Sequence, residues 1–155
     1  LMLLDYLKKT AEETRFLRNE PNEINLTVED EQKYIENVND TESSAMILGF
    51  LDGEYVGNCS FISSPRSRIR HRATVGIALF QKFTGLGIGT VMLNACLDAA
   101  KKAGVEQAEL EVASKNSRAI RLYKKLGFTE CGRIPDADKY TDGTYDDVLL
   151  MVKKL

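Results

Sequence analysis

The chain has 155 residues, 43% of them hydrophobic and 28% charged, with a formal net charge of −2. That length matches one ordinary domain able to bury a core, and these globular values without a low-complexity run exclude a disordered chain. A pI near 5.5 argues against a nonspecific nucleic-acid binder and suits a cationic partner such as an amine, while no apolar run is long enough to span a bilayer.

In chain order, the opening reads as helix almost from Leu1, with Leu4, Leu7, Ala11 and Thr14 sharing one face until Pro21 and Asn22 break the run. Thr27 followed by Asp30 marks a second helix start, continuing to about Asn37. Residues 45–51 and 55–62 read as strands around Asp52-Gly53, a two-residue hairpin signal. A loop with Pro65 follows, then a strand over 72–80. The alternating Arg66, Arg68, Arg70 and Arg72 read as a solvated strand edge, or as a contact for a phosphate or an acidic partner. His71, the only histidine, reads as a strand-edge residue, and without a partner it makes no metal site. Cys59, Cys96 and Cys131 lack metal-ligand spacing and read as reduced, mostly buried thiols. The opening LMLLDYLKK is too short for a signal-peptide core. Together these features place the protein in the cytoplasm.

Residues 83–104, FTGLGIGTVMLNACLDAAKKAG, run a glycine cluster straight into a helix. Gly85, Gly87 and Gly89 let the backbone approach a ligand, and the first helical turn offers unpaired N–H groups at the positive end of the dipole, an arrangement suited to phosphate. Ile88, Val91, Met92, Ala95, Cys96 and Ala99 recur at the spacing of one helical face. Lys101 and Lys102 suit the negative end, and Gly104 the position after it. The spacing excludes two familiar phosphate motifs. Thr90 stands where the dinucleotide fingerprint needs its third glycine, and no lysine follows Gly89 as in a P-loop. A structural reading, in which the glycines ease close packing without a ligand, remains open for this loop alone.

Further on, residues 108–113 read as a strand and 117–126 as a helix closed by Gly127, with Phe128 packing back. Residues 129–133 and 145–153 read as closing strands, separated by a turn-rich segment with Pro135 and Asp142-Gly143. The whole predicts a mixed α/β fold with helices on both faces of the sheet.

Residues 110–128 read LEVASKNSRAIRLYKKLGF, with Asn116, Ala119, Tyr123, Gly127 and Phe128 in register. Together with the glycine loop this resembles the GNAT superfamily of acyl-CoA N-acyltransferases. The two blocks match closely, and the rest of the chain matches in element order. The resemblance implies a GNAT fold, one N-acetyltransferase domain over 1–155 with a central, mostly antiparallel mixed sheet, and a family first strand missing ahead of the first helix. It implies acetyl-CoA as acyl donor, no metal, and direct attack by a primary amine in a ternary complex. The acceptor is a small molecule, such as an antibiotic or polyamine, or a protein N-terminus. No nucleic acid or membrane is implied, and a homodimer is admitted.

Residue by residue, the resemblance puts Thr84, Gly85, Leu86, Gly87, Ile88, Gly89 and Thr90 around the coenzyme A diphosphate. It sets Ile77, Ala78 and Leu79 along the pantetheine arm and adds Asn116, Ala119 and Tyr123 as cofactor contacts. Thr84 departs from the arginine or glutamine usual at the loop's start, leaving Thr90, Lys82 or Lys124 as polar substitutes. An alkylammonium, of pKa about 10.4, must lose a proton before it attacks. Glu111 is the candidate base by resemblance; its other reading is as the strand's polar face, shared with Glu109. The leaving thiolate needs a proton donor, and Tyr123 stands where the family places one. Its other reading is as a core residue one turn beyond Ala119. Acceptor contacts are expected from the first two helices and from 134–145, with Asp136, Asp138 and Asp142. A noncatalytic acyl-CoA binding module is the alternative to the enzyme.

Overall fold

A computed structural model describes residues 2–155; Leu1, from which the first helix was read, lies outside them. Among the described residues four α-helices are formed: α1 (Met2–Glu13), α2 (Val28–Asn39), α3 (Ile88–Lys102) and α4 (Ser117–Lys125). The strands are β1 (Ser44–Leu51), β2 (Glu54–Ser63), β3 (Arg72–Leu79), β4 (Gln107–Ala113), β5 (Thr129–Lys139) and β6 (Tyr145–Lys154). They make one six-stranded sheet in the order β1-β2-β3-β4-β6-β5. Every neighbouring pair is antiparallel except β3 and β4. The expected mixed α/β architecture is present.

Alternation along β2 and β3 sorts the helices between the two faces. Cys59, Phe61 and Val75 face α3, where the Cys59 thiol contacts the Met92 carbonyl at 3.4 Å. On the opposite face the Tyr6 hydroxyl of α1 donates to the Ala78 carbonyl at 2.6 Å, and its ring packs edge-on against Tyr55 and Phe80. The core lies between the sheet and α3 with α4, built around Phe61, Leu93, Ala100, Leu110, Phe128 and Met151.

Local signals act as their chemistry requires. Thr27 and Asp30 exchange side-chain to backbone hydrogen bonds at the start of α2. Asp52 and Gly53 both take positive φ, 51° and 82°, in the turn that fits a two-residue hairpin. At the end of α4, Phe128 N–H donates to Tyr123 O and Gly127 N–H to Lys124 O, both at 3.0 Å.

Several expectations need correction. The buried face of α3 is Met92, Leu93, Cys96, Leu97 and Ala100, one position on from the predicted stripe, and Val91 is 70% exposed. The larger Leu93 and Leu97 fill the space over the sheet, which turns Val91 and Ala95 outward. In α1 the buried set is Leu4, Tyr6, Thr10 and Ala11. Polar tips are tolerated there because the Thr10 hydroxyl donates to Tyr6 O at 2.7 Å and Tyr6 reaches Ala78. β5 runs to Lys139 through Pro135, beyond the predicted end at Arg133. It is an edge strand whose register shifts between Ile134 and Asp138, so the missing proline N–H removes no ladder bond. Arg66, Arg68 and Arg70 lie in turns before β3, where Ile69 and Arg70 N–H both reach Arg66 O. They therefore share no strand face. His71 lies in the same turn. Cys59 and Cys96 are buried, but Cys131 is exposed. No helix among the described residues is long and apolar enough to cross a membrane.

Asp146 of β6 is 2% exposed yet fully engaged. It accepts from Ser114 Oγ at 2.6 Å, Lys115 N at 3.3 Å and the Tyr140 hydroxyl at 3.1 Å, so it fixes the turn that leads from β4 into α4. Burial pushes its carboxyl up, but the hydrogen bonds from Ser114, Tyr140 and Lys115 outweigh this and hold it below the usual carboxylate range. As pH falls the unfolded chain takes up this proton first, so the stabilisation is complete at neutral pH and is lost as pH drops through the lowered folded value. Asp146→Asn keeps one acceptor oxygen in place of two and removes the charge that Ser114, Lys115 and Tyr140 meet. We expect urea denaturation at pH 7 to show a loss of about 2 kcal/mol, with a shallower loss of stability below about pH 4 than in the wild type.

Candidate active site

The site begins where the sheet comes apart. β3 and β4 pair only at Arg72 with Gln107, Ala73 with Ala108 and Thr74 with Glu109. Beyond that point β3 stays with β2 as far as Leu79, and β4 stays with β6 as far as Ala113. Phe80 N donates to Val56 O at 3.0 Å, so by antiparallel alternation Ala78 also turns its backbone to β2. Ile77 and Leu79 then direct their N–H and C=O groups into the gap. A cavity of about 810 Å³ fills the fork.

At one mouth of the fork lies the glycine loop. Gly85 and Gly87 take φ of 79° and 81°, and a Cβ on either would meet nothing within 4 Å. Gly87 caps α3 without a side-chain hydrogen bond, so the first-turn N–H groups of Ile88, Gly89 and Thr90 are open to a ligand. Gly89 serves close packing instead, since a Cβ there would stand 3.3 Å from Leu122 Cδ2 and 3.7 Å from Leu79 Cδ1. Close packing thus accounts for Gly89, whereas left-handed backbone beside open space accounts for Gly85 and Gly87.

Opposite the loop, Asn116 accepts from Ala119 N at 3.3 Å and caps α4. Tyr123 is 7% exposed and lines the cavity. Burial pushes its phenol up to about 12. Among the described residues its hydroxyl has no hydrogen-bond partner; Ser63 Oγ is the fully enclosed unpartnered side-chain oxygen there, so the Tyr123 oxygen opens onto the cavity.

The two glutamates of β4 fall on either side of the fork point. Glu109, in the last paired position, holds Arg72 through two hydrogen bonds and accepts from Gln107. Those bonds, the Arg72 contact above all, draw its carboxyl down. Glu111, two residues on, lines the cavity and pairs with Arg18 from the segment after α1.

Of the predicted contacts, Ile77, Ala78, Leu79, Thr84 and Gly89 line the cavity from the β3 side, and Asn116, Ala119 and Tyr123 from α4. Gly85, Leu86 and Gly87 are exposed and, with Ile88 and Thr90, lie outside its walls. Lys82 and Lys124 do not line it either, and Lys82 pairs with Glu54. The sequence reading missed Arg118, whose guanidinium donates to Thr84 Oγ1 at 2.6 Å. Its only sequence signal was its place within the Asn116 to Tyr123 block. Of the elements expected to contact the acceptor, α1 and the segment after it supply walls through Tyr6, Thr10, Glu13 and Phe16, and α2 supplies none. Asp136 and Asp138 are absent from the walls. Asp142 borders a neighbouring cavity of about 530 Å³, where it meets Arg15 at 3.5 Å.

A model of the acetyltransferase (GNAT) family matches residues 5–128. The chain is 34% identical over 131 residues to an N-alpha-acetyltransferase of Sulfurisphaera tokodaii, spanning 79% of this chain and 75% of that protein. It is 33% identical over 120 residues to an N-alpha-acetyltransferase of Sulfolobus acidocaldarius, spanning 72% and 69% respectively. Among solved structures, a GNAT-family acetyltransferase from Streptococcus pneumoniae superposes with a TM-score of 0.93 at 26% identity, over 99% of this chain and 92% of that one. A Salmonella typhimurium structure containing its cofactor acetyl-CoA shares the fold, with a TM-score of 0.87 at 19% identity over 99% and 87% of the two chains. The chain belongs to the GNAT family, and so to the acetyltransferases.

The division of labour among the glycines is testable by unfolding. Gly87→Ala forces a side chain into left-handed backbone and is expected to cost about 1–2 kcal/mol. Gly89→Ala gains helix propensity against a contact with the movable end of Leu122, and is expected to stay within about 1 kcal/mol of wild type. Equal losses in urea denaturation would contradict this division.

Proposed function

We propose that the protein transfers an acetyl group from acetyl-CoA to a primary amine by direct attack in a ternary complex, with the α-amine of a polypeptide as the favoured acceptor. The observation that carries this reading is the unpartnered hydroxyl of Tyr123 in a cavity bounded by open strand backbone, with an uncapped helix start beside it. These groups fit the donor: the first turn of α3 and the open face of Gly85 and Gly87 suit a diphosphate, and the Ile77 and Leu79 backbone suits a chain of amides.

Acetyl-CoA supplies the acetyl thioester. The backbone N–H groups of Ile77 and Leu79 face the gap as donors for the thioester oxygen as it gains charge, without any reorganisation. Tyr123 gives a hydrogen bond to the departing sulfur. With its phenol at about 12, it stays protonated throughout the neutral range. Complete transfer to a thiolate whose acid has a pKa of about 8.5 is uphill, so its contribution is donation to developing charge. Glu111 takes one proton from the incoming ammonium, for which Arg18 has to yield. That exchange is feasible because Arg18 is 81% exposed and the pair is open to solvent. As the C–N bond forms and the C–S bond breaks, the nitrogen's second proton passes through cavity water to the departing thiolate.

Support for a polypeptide acceptor comes from two lines. The two relatives described above are N-alpha-acetyltransferases. The fork cavity also adjoins the second one along Glu13, Thr14, Phe16 and Leu17, which leaves room for a chain extending beyond the reacting amine.

The test is acetyl-CoA-dependent thiol release across free-N-terminus peptides, amino acids, polyamines and aminoglycosides. We expect turnover with peptides, and Tyr123→Phe to lower kcat by roughly a hundredfold with a far smaller change in KM for acetyl-CoA. Binding of acetyl-CoA without turnover on any acceptor would favour a noncatalytic module. On the acceptor side, Glu111→Gln is expected to lower kcat/KM by roughly 10²-fold. Arg18→Ala, which frees Glu111, is expected to lower the acceptor KM, most clearly at low salt. An unchanged or raised acceptor KM in Arg18→Ala would remove the exchange step.

A further inference from the structure

Thr84 opens the glycine loop, but its side chain reaches no further than its own turn, donating to Gln81 O at 2.7 Å. The long cationic group at this spot crosses from α4. Arg118, the second residue of that helix, donates through one N–H to Thr84 Oγ1 at 2.6 Å across a sequence separation of 34 residues. Arg118 lines the cavity, as does Arg121 three residues on. Among the described residues neither meets a carboxylate, a state shared with Arg66, Arg68 and Arg70 of the turns before β3 but, unlike theirs, found in the cavity wall. A guanidinium has five N–H donors in a fixed fork, and Thr84 takes one. The remaining donors lie beside a loop whose helix start is itself uncapped. An anion bound there would meet both.

We propose that Arg118 is a binding residue for the diphosphate of acetyl-CoA, held over the glycine loop by Thr84 as a positioning residue. The assignment rests on the reading of the loop as a diphosphate cradle. Arg118 adds charged, in-plane donors to the backbone N–H groups of α3, a combination that suits the paired oxygens of a phosphate. It thereby joins the two walls of the cleft through the ligand.

The test is equilibrium binding by calorimetry with three probes, namely coenzyme A, its dephospho form lacking the 3′-phosphate, and pantetheine, which has no diphosphate. We expect R118A to weaken coenzyme A and dephospho-coenzyme A equally, by roughly ten- to a hundredfold, and to leave pantetheine unchanged. R118K should recover only part of the loss, and T84V should show a smaller loss of the same pattern. Arg118 is exposed; should R118A nevertheless fail to fold, R118Q carries the same comparison, with thermal unfolding as the control. A loss confined to coenzyme A would place Arg118 on the 3′-phosphate and overturn the assignment, as would no loss or an equal loss for pantetheine. If the wild type binds coenzyme A no more tightly than pantetheine, the cradle itself fails, whatever R118A does.

Discussion

The parting of β3 from β4 is the constraint on which the rest of this structure depends. A strand edge inside a protein carries N–H and C=O groups that must find partners, because leaving them dry and unpaired is costly. Here the sheet is two antiparallel halves, β1-β2-β3 and β4-β6-β5, joined by three parallel residue pairs at one end only. Past Thr74 and Glu109 the halves follow their own partners, and the inner edges face a cavity of about 810 Å³. Water satisfies such edges in the absence of a ligand, and a ligand bearing amides satisfies them in its presence. Such an edge offers N–H and C=O groups whatever its side chains, so Ile77, Ala78 and Leu79 can be wholly apolar.

A fork joined at one end needs its walls held from outside, and separate devices do so. Glu109 and Arg72 clamp the closed end through two hydrogen bonds. Tyr6 ties α1 to Ala78 on the β3 side. Asp146 fixes the turn from β4 into α4 on the other side. Arg15 stacks on the Tyr140 ring at 3.6 Å and bonds Thr144 at 2.9 Å, linking the end of α1 to the β5–β6 hairpin. These ties reach both halves of the sheet, so the cavity's shape is set by the assembled fold. No single element could form it alone.

What was legible in the sequence was local chemistry. Turn residues, capping boxes and helix-closing glycines act over a few residues, so Asp52-Gly53, Thr27 with Asp30, and Gly127 with Phe128 announced their conformations. The order of elements followed from them. Burial was less legible, because it depends on which neighbour supplies a partner. Tyr6 and Thr10 turn inward only because Ala78 O and Tyr6 O accept their hydroxyls, contacts that periodicity does not encode. Pro135 read as a strand end because sequence does not tell an edge strand from a central one. Around the candidate site, what was legible lies within one loop or helix, as for the left-handed Gly87 and the Asn116 cap. Arg118 was missed because its meeting with Thr84 arises from the packing of α4 beside α3, and nothing local predicts that.

The charges around the cavity are arranged in a sense that the near-neutral total of −2 conceals. The uncapped start of α3 with Arg118 and Arg121 makes one end of the cleft cationic, while Glu111 lies at the fork point on β4. On the proposed reading, an anionic donor and a cationic acceptor are drawn to different parts of one cavity. Tyr123 lies about one and a half helical turns beyond Arg118 on α4, where burial leaves its phenol neutral across the working pH range. A charged group at that depth would have to be paired, and pairing would occupy the atom that the proposed mechanism sets against the leaving sulfur. A neutral hydroxyl without a protein partner avoids both costs: it is stable enough to bury, and free to donate only when negative charge develops beside it.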